Sequence, residues 1–302
     1  NGPQHLAAML RDEVGGEATN LRDLPQRQDI YAIVAEKTAR LVHNDAINGD
    51  ANAQLWDGLV DRKLVKRNVM TVPYGATKRG MADQLMDEVR GSKNPGFGPL
   101  AECKWEPYAY LASRTLESIS CTVIAAVSVM DFLKGCAKVF NEANQGFVWE
   151  TPAGMLVSQW KMETTGHRFE CRLGKQRLQL STSQSTGKLN KHQQVNSIAP
   201  NVVHSWDGSH LVQTILACAQ QHGMSHFGMV HDSYGCHAAD MGTLYQVLRD
   251  EFVQLYSADI LSDLREQFRL QLPEELQEKL PEVPNFGNLD LEEVRSSEFF
   301  FA

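Results

Sequence analysis

Ile30, Ile33, Val34, Leu41 and Val42 recur at the spacing that gathers side chains on one face of a helix. A longer stretch from Tyr110 to Phe140 carries Leu116, Ile119, Val123, Val127, Met130 and Leu133 without a proline, and predicts a second long helix. Between them, Leu64 to Val72 predicts a shorter helix closed by Pro73-Tyr74-Gly75, because proline fits poorly in a helix interior and glycine commonly ends one. From Gly146 to Gln179 the pattern shifts to short apolar segments, Phe147-Val148-Trp149 and Met155-Leu156-Val157, separated by glycines, which predicts hairpins. The polar run Ser181 to Gln194 reads as an exposed loop. Leu211 to Gln221 and Met241 to Tyr256 read as helices. Between these two, Phe227-Gly228-Met229-Val230 reads as a short buried strand running into His231-Asp232-Ser233. Pro273, Pro281 and Pro284 mark an irregular stretch before the aromatic tail Phe299-Phe300-Phe301-Ala302, and no internal repeat is present.

Composition changes this picture little. With 302 residues, 42% of them hydrophobic, the chain can bury one large core or two smaller ones. No run of apolar residues is long enough to span a bilayer, and the first residues, Asn1-Gly2-Pro3-Gln4-His5, do not resemble a signal segment. No membrane partner is expected. The six cysteines form no CxxC pair and several lie in apolar runs, so reduced thiols are expected rather than a zinc site. A net charge of −8 argues against a protein that simply coats nucleic acid, but says nothing of a locally basic channel. The chain starts at Asn1 and is already in a helix-like pattern by Met9, so it reads as part of a longer protein.

Two constellations can carry chemistry. Arg62 and Lys66 are one helical turn apart, roughly 6 Å along the axis, so both could grip one polyphosphate; taken alone, a solvated basic face explains them better. Asp232 follows an apolar strand, where a carboxylate can hold magnesium; taken alone, His231-Asp232-Ser233 could be an ordinary polar turn. A Ser-His-Asp relay is excluded because the three residues are adjacent, and no GxSxG elbow occurs. Gly96-Phe97-Gly98 lacks a third glycine and no GxxxxGK[ST] exists, so dinucleotide and P-loop sites lack support.

Together these segments are specific. Gln4 to Asp12, Lys66 to Gly75, Val203-His204-Ser205-Trp206-Asp207-Gly208-Ser209-His210 and His231 to Gly235 resemble, in order, the single-subunit RNA polymerase family of T-odd bacteriophages and mitochondria. That resemblance implies an α+β, mostly helical, right-hand polymerase fold. Residues 14–204 would form fingers and residues 1–13 plus 205–302 palm, with the thumb and amino-terminal domain absent from this chain. The implied activity is DNA-directed RNA synthesis, a nucleotidyltransferase reaction using two Mg2+ ions. Its partners would be promoter DNA, template, nascent RNA, ribonucleoside triphosphates and the upstream part of the same polymerase. The implied compartment is the cytoplasm of an infected bacterial host, in preference to a mitochondrion.

Residue by residue, Asp232 matches one of two magnesium-binding aspartates, and the other would precede Asn1. The fragment alone is therefore expected to be inactive. Lys66 matches the lysine that contacts the triphosphate and protonates the leaving pyrophosphate. Arg62, Arg67 and His231 join it in the substrate-binding set, and Tyr74 with His204 resembles the pair that recognises the ribose 2′-hydroxyl. A related class of DNA polymerases shares the Arg62, Lys66, Tyr74 and Gly75 spacing. Those enzymes usually carry glutamate where this chain has Ser233, a glutamate gate where it has Gly2, and no Val203-His204-Ser205 segment. Glycine at the gate leaves room for the 2′-hydroxyl. A hairpin near residues 165–181 resembles the specificity loop, with Arg168, Glu170, Arg172, Arg177 and Gln179 facing promoter bases; a charged surface hairpin is the alternative. Arg79 departs from phage relatives, which often place an aromatic there.

Overall fold

Side-chain caps start many of the helices. The computed structural model of the protein describes residues 2–174, 176–230 and 232–301. Helix α1 (Gly2–Leu10) passes through Asp12, which accepts the Val14 N–H, into α2 (Glu13–Ala18). Asp29, Asp50, Asp61 and Thr77 cap α3 (Ile30–Ile47), α4 (Ala51–Trp56), α5 (Arg62–Thr71) and α6 (Lys78–Gly91) in the same way. After the short α7 (Gly98–Ala101) come α8 (Glu106–Ser120) and α9 (Ile124–Glu142).

The single helix expected from Tyr110 to Phe140 is thus two helices, bent by 102° at residues 121–123. Tertiary bonds make the break. Thr122 Oγ1 turns back to Ser118 O at 2.7 Å, Lys37 Nζ bonds Cys121 O and Thr122 Oγ1, and the Asp12 Oδ2 atom accepts Ala125 N at 3.0 Å. One carboxylate, that of Asp12, therefore starts two helices. Among the described residues no single helix is long and apolar enough to cross a membrane; α8 and α9 pass by length and composition only as this bent pair.

The described strands form three two-stranded antiparallel sheets: β1 (Phe147–Glu150) with β2 (Leu156–Gln159), β3 (Met162–Leu173) with β4 (Gln176–Leu189), and β5 (Phe227–Val230) with β6 (Ser233–Cys236). Two expectations are corrected. Ser181 to Leu189 is strand rather than loop, because it pairs with Met162 to Arg168 along a ribbon that is polar on both strands there and so shows no apolar alternation. Residues 191–194 already belong to α10 (Lys191–His222), far longer than the segment read from the sequence. The strand β5 is not buried, with Val230 74% exposed, since it pairs on one edge only and its turn projects into a cleft. Helices α11 (Met241–Ser257) and α12 (Ile260–Arg269) follow.

One main core and a small satellite under β5–β6 result. In the main core Phe140, Phe147, Trp149 and Phe268 meet with ring centroids 4.8–6.4 Å apart, joining α9, β1 and α12. The two ends of the chain are knit together. Gly287 N–H donates to Leu10 O at 2.7 Å and Leu289 N–H to Arg11 O at 3.0 Å, and a Cβ at Gly287 would stand 2.3 Å from Arg11 O. Buried His5 Nδ1 lies 2.5 Å from Tyr256 Oη. Arg249, only 1% exposed, donates to Tyr245 O and Ser297 O and lies between the Tyr245 and Phe300 rings, holding the tail on α11.

Candidate active site

Gly75 brings the end of α5 against α10. Its φ of +81° suits glycine, and a Cβ there would meet Asn196 O at 3.1 Å and Pro200 Cδ at 3.4 Å. This close approach lays the Tyr74 ring flat on His204, centroids 4.5 Å apart and 6° from parallel. His204 Nδ1 is 3.5 Å from Asp207 Oδ2, one turn further along α10. Gly2 presses on the same tyrosine: a Cβ at this position would come within 2.9 Å of Pro73 Cβ and 3.1 Å of Tyr74 Oη. The Gly2 N–H donates to that hydroxyl. Burial first, then the Asp207 and Asp232 carboxylates, push the Tyr74 phenol up to about 12, so it is a neutral donor near neutral pH.

Asp232 stands exposed at the tip of the β5–β6 turn. It shares with Gln4, Asp29, Tyr31, Arg62 and Phe301 the walls of one cleft of about 310 Å³. Arg62 and Lys66 stack side by side on the Tyr31 ring, 5.3 and 5.6 Å from its centroid. The Arg62 cation, the turn carboxylate and the tail aromatics thus face one space. As a metal donor Asp232 fits in part. It is exposed and at a tight turn, but among the described residues no three His, Cys, Asp or Glu side chains converge on one point. The cleft's other carboxylate, Asp29, is engaged by Arg62 and the start of α3, so further donors to a metal at Asp232 would have to come from elsewhere.

Behind the turn, the buried His210 Nε2–H donates to Leu248 O at 2.9 Å, which leaves Nδ1 to accept the Tyr234 hydroxyl at 3.2 Å. Burial draws His210 down to about 4, so it is neutral. Phe301 packs on both rings.

Not every expected residue joins this space. Neither Lys66 nor Arg67 is on the cleft wall: Lys66 reaches it only through the Tyr31 ring, and Arg67, a further 100° round α5, points to α6, 3.7 Å from Asp87. His231 lies outside the described residues. Arg168, Glu170, Arg172, Arg177 and Gln179 are on the β3–β4 ribbon, and its register puts all five on one face, while Phe169, Cys171, Leu173, Leu178 and Leu180 occupy the other. Arg177 pairs with Glu170 across that face. The expected hairpin near 165–181 is therefore the outer part of a longer ribbon. Asp29, Tyr31, Asp207 and His210 were not anticipated as site residues; the N-cap pattern before α3 was the available signal for the first two.

The family model for DNA-dependent RNA polymerase matches residues 1–281. Over its whole length the chain is 35% identical to the DNA-directed RNA polymerase of Enterobacteria phage T3 and to T7 RNA polymerase of Escherichia phage T7, covering 39% of each. It is 38% identical to the mitochondrial DNA-directed RNA polymerase 1B of Nicotiana tabacum, covering 29% of that protein. The chain thus spans less than half the length of these relatives. On this match, the chain belongs to the DNA-dependent RNA polymerase family.

Proposed function

We propose that this chain forms the nucleotide-selecting side of a single-subunit RNA polymerase that copies DNA from ribonucleoside triphosphates. The observation that carries the reading is the Tyr74–His204 stack, closed by Gly2, whose neighbour Pro3 lines the cleft of Arg62 and Asp232. Residues 14–204 serve as fingers and residues 1–13 with 205–302 as palm; the α5 cations facing the palm turn support this division. Lys66 and Arg62 hold the triphosphate, and Lys66 delivers a proton to the leaving pyrophosphate. Asp232 offers one carboxylate to the magnesium pair, which when bound neutralises charge developing on phosphate oxygens. The remaining donors belong to polypeptide beyond these 302 residues.

The test is nucleotide incorporation on a DNA template by the longer polymerase containing this chain, with ribo- and deoxyribonucleotides compared. A preference for deoxyribonucleotides would overturn the reading in favour of the sister DNA polymerases. Within that assay, Tyr74→Phe is expected to lower ribo-over-deoxyribo discrimination about tenfold, the scale of one lost polar contact, with the phosphate contacts intact. An unchanged ratio would remove Tyr74 from sugar selection.

The polar face of the β3–β4 ribbon is the candidate reader of promoter bases, with arginine suited to guanine and glutamate to cytosine. Its opposite face is apolar, so only one side is fit for polar readout. Arg168→Ala and Glu170→Ala are each expected to relax base preference at one promoter position by about 1–3 kcal/mol. Unchanged preference across a base-substitution panel would reduce the ribbon to a charged surface hairpin. Phage and plant mitochondrial relatives both match the full chain, so the match itself does not favour an infected bacterial cytoplasm over an organelle.

A further inference from the structure

One carboxylate joins the two helices that form the cationic wall of the cleft. Asp29 Oδ1 accepts Tyr31 N–H at 3.0 Å and Ala32 N–H at 3.2 Å, capping α3, while Oδ2 accepts Arg62 Nε–H from α5 at 2.5 Å. Tyr31, fixed by the same cap, is the ring on which Arg62 and Lys66 both lie. Burial pushes the Asp29 carboxyl up, but hydrogen bonds from Arg62 and Ala32 outweigh it and hold it below its ordinary value, so it is charged at neutral pH.

A guanidinium has five N–H donors in a rigid planar fork. Held through Nε, Arg62 keeps both terminal nitrogens for other acceptors, and its long side chain loses the freedom it would otherwise give up on meeting a ligand. We infer that Asp29 is a positioning residue for a polyphosphate, bracing Arg62 so that its terminal N–H groups face the cleft. That the polyphosphate is the tail of an incoming nucleotide rests on the polymerase reading.

A second effect opposes the first. The Asp29 charge also repels an anion in the cleft, though solvent and salt screen this over a Debye length of about 8 Å. A double-mutant cycle separates the two, because bracing acts only through Arg62 and repulsion does not need it. Asparagine and serine both cap helices, so Asp29→Asn and Asp29→Ser preserve the start of α3 and remove the brace.

Inorganic tripolyphosphate is the probe, titrated calorimetrically into the 302-residue chain in metal-free buffer, where Asp232 can recruit no cation. Asp29→Asn is expected to weaken binding about fivefold, and Asp29→Ser equally, on the scale of a half-exposed charge contact. In an Arg62→Ala background the same changes should cause no weakening, and unfolding midpoints should match the parent proteins. Equal weakening in both backgrounds, tighter or unchanged binding by Asp29→Asn alone, or no binding by the unaltered chain would each overturn the proposal. Failure of RNA synthesis by the longer polymerase would instead sink the nucleotide reading and leave this result standing.

Discussion

RNA synthesis by the longer polymerase that contains this chain should fall by about 10³-fold or more when Asp232 becomes asparagine. Asparagine has nearly the same shape and is equally at home in a turn, so the β5–β6 hairpin should persist. What changes is one oxygen, from anionic to neutral, at the exposed tip that shares a cleft with Arg62. Hard divalent cations prefer carboxylate oxygen, and additional magnesium should not restore the rate. The 302-residue chain alone should give no product, since its described residues gather no group of three metal-ligating side chains. Supplying the rest of the polymerase, fused or as a separate chain, should restore synthesis for the unaltered sequence and not for Asp232→Asn. Single-turnover extension of a primed template reads this directly. Robust extension by the variant, or by the isolated chain, would remove Asp232 from its proposed role.

Arg249→Ala should destabilise the chain by about 3–5 kcal/mol, the range for removing a large buried side chain and stranding its partners. The guanidinium is 1% exposed, its two carbonyl partners lie on α11 and in the tail, and it is sandwiched by Tyr245 and Phe300. Alanine would leave the Tyr245 and Ser297 carbonyls without this donor and open a space between two rings. Total stabilities of domains are only about 5–15 kcal/mol, so such a loss is a large fraction. Urea unfolding followed by circular dichroism should show the midpoint fall with little change in slope. A midpoint within experimental error of the parent would mean that the tail holds itself on α11 by its aromatics alone.

These two residues differ in how far the sequence announces them. Asp232 was legible because a short apolar segment ends beside it and the surrounding residues match a family in order. Arg249 was not, since nothing local distinguishes it from a solvated arginine on an amphipathic helix; its partner Ser297 is 48 residues away. The same division runs through the fold. Helices α3 and α11 follow from periodicity, and α5 is closed where Pro73 and Gly75 stand. The break between α8 and α9 depends on Asp12 and Lys37, more than eighty residues upstream, so no local pattern encodes it. The second half of strand β4, from Ser181, escaped because serine, threonine and glutamine on a ribbon polar on both faces there give no alternation to read. The pairing of Tyr74 with His204 came from resemblance, whereas the steric reason for Gly2, a missing Cβ against Pro73 and Tyr74, required coordinates.

The stitching of Leu10 and Arg11 to Gly287 and Leu289 has a consequence for biosynthesis. Helix α1 is apolar and almost wholly buried, yet Tyr256, which bonds its His5, is made 251 residues later, and Gly287 and Leu289 later still. At ribosomal rates of about 5–20 residues per second, α1 waits roughly 12 to 60 seconds for these partners. Closing so long a span adds little entropy per added residue, but it delays the reward of the contact until the end. Until α9 and α10 are made Leu6, Met9 and Leu10 are an exposed apolar stripe on a nascent chain, and until the later partners arrive they stay only partly covered, the kind of surface that chaperones and misfolding compete for. The contacts that close α1 against α11 and the 287–289 segment therefore form after its packing on α9 and α10, and a nascent chain stalled before Phe252 would hold α1 on one side only.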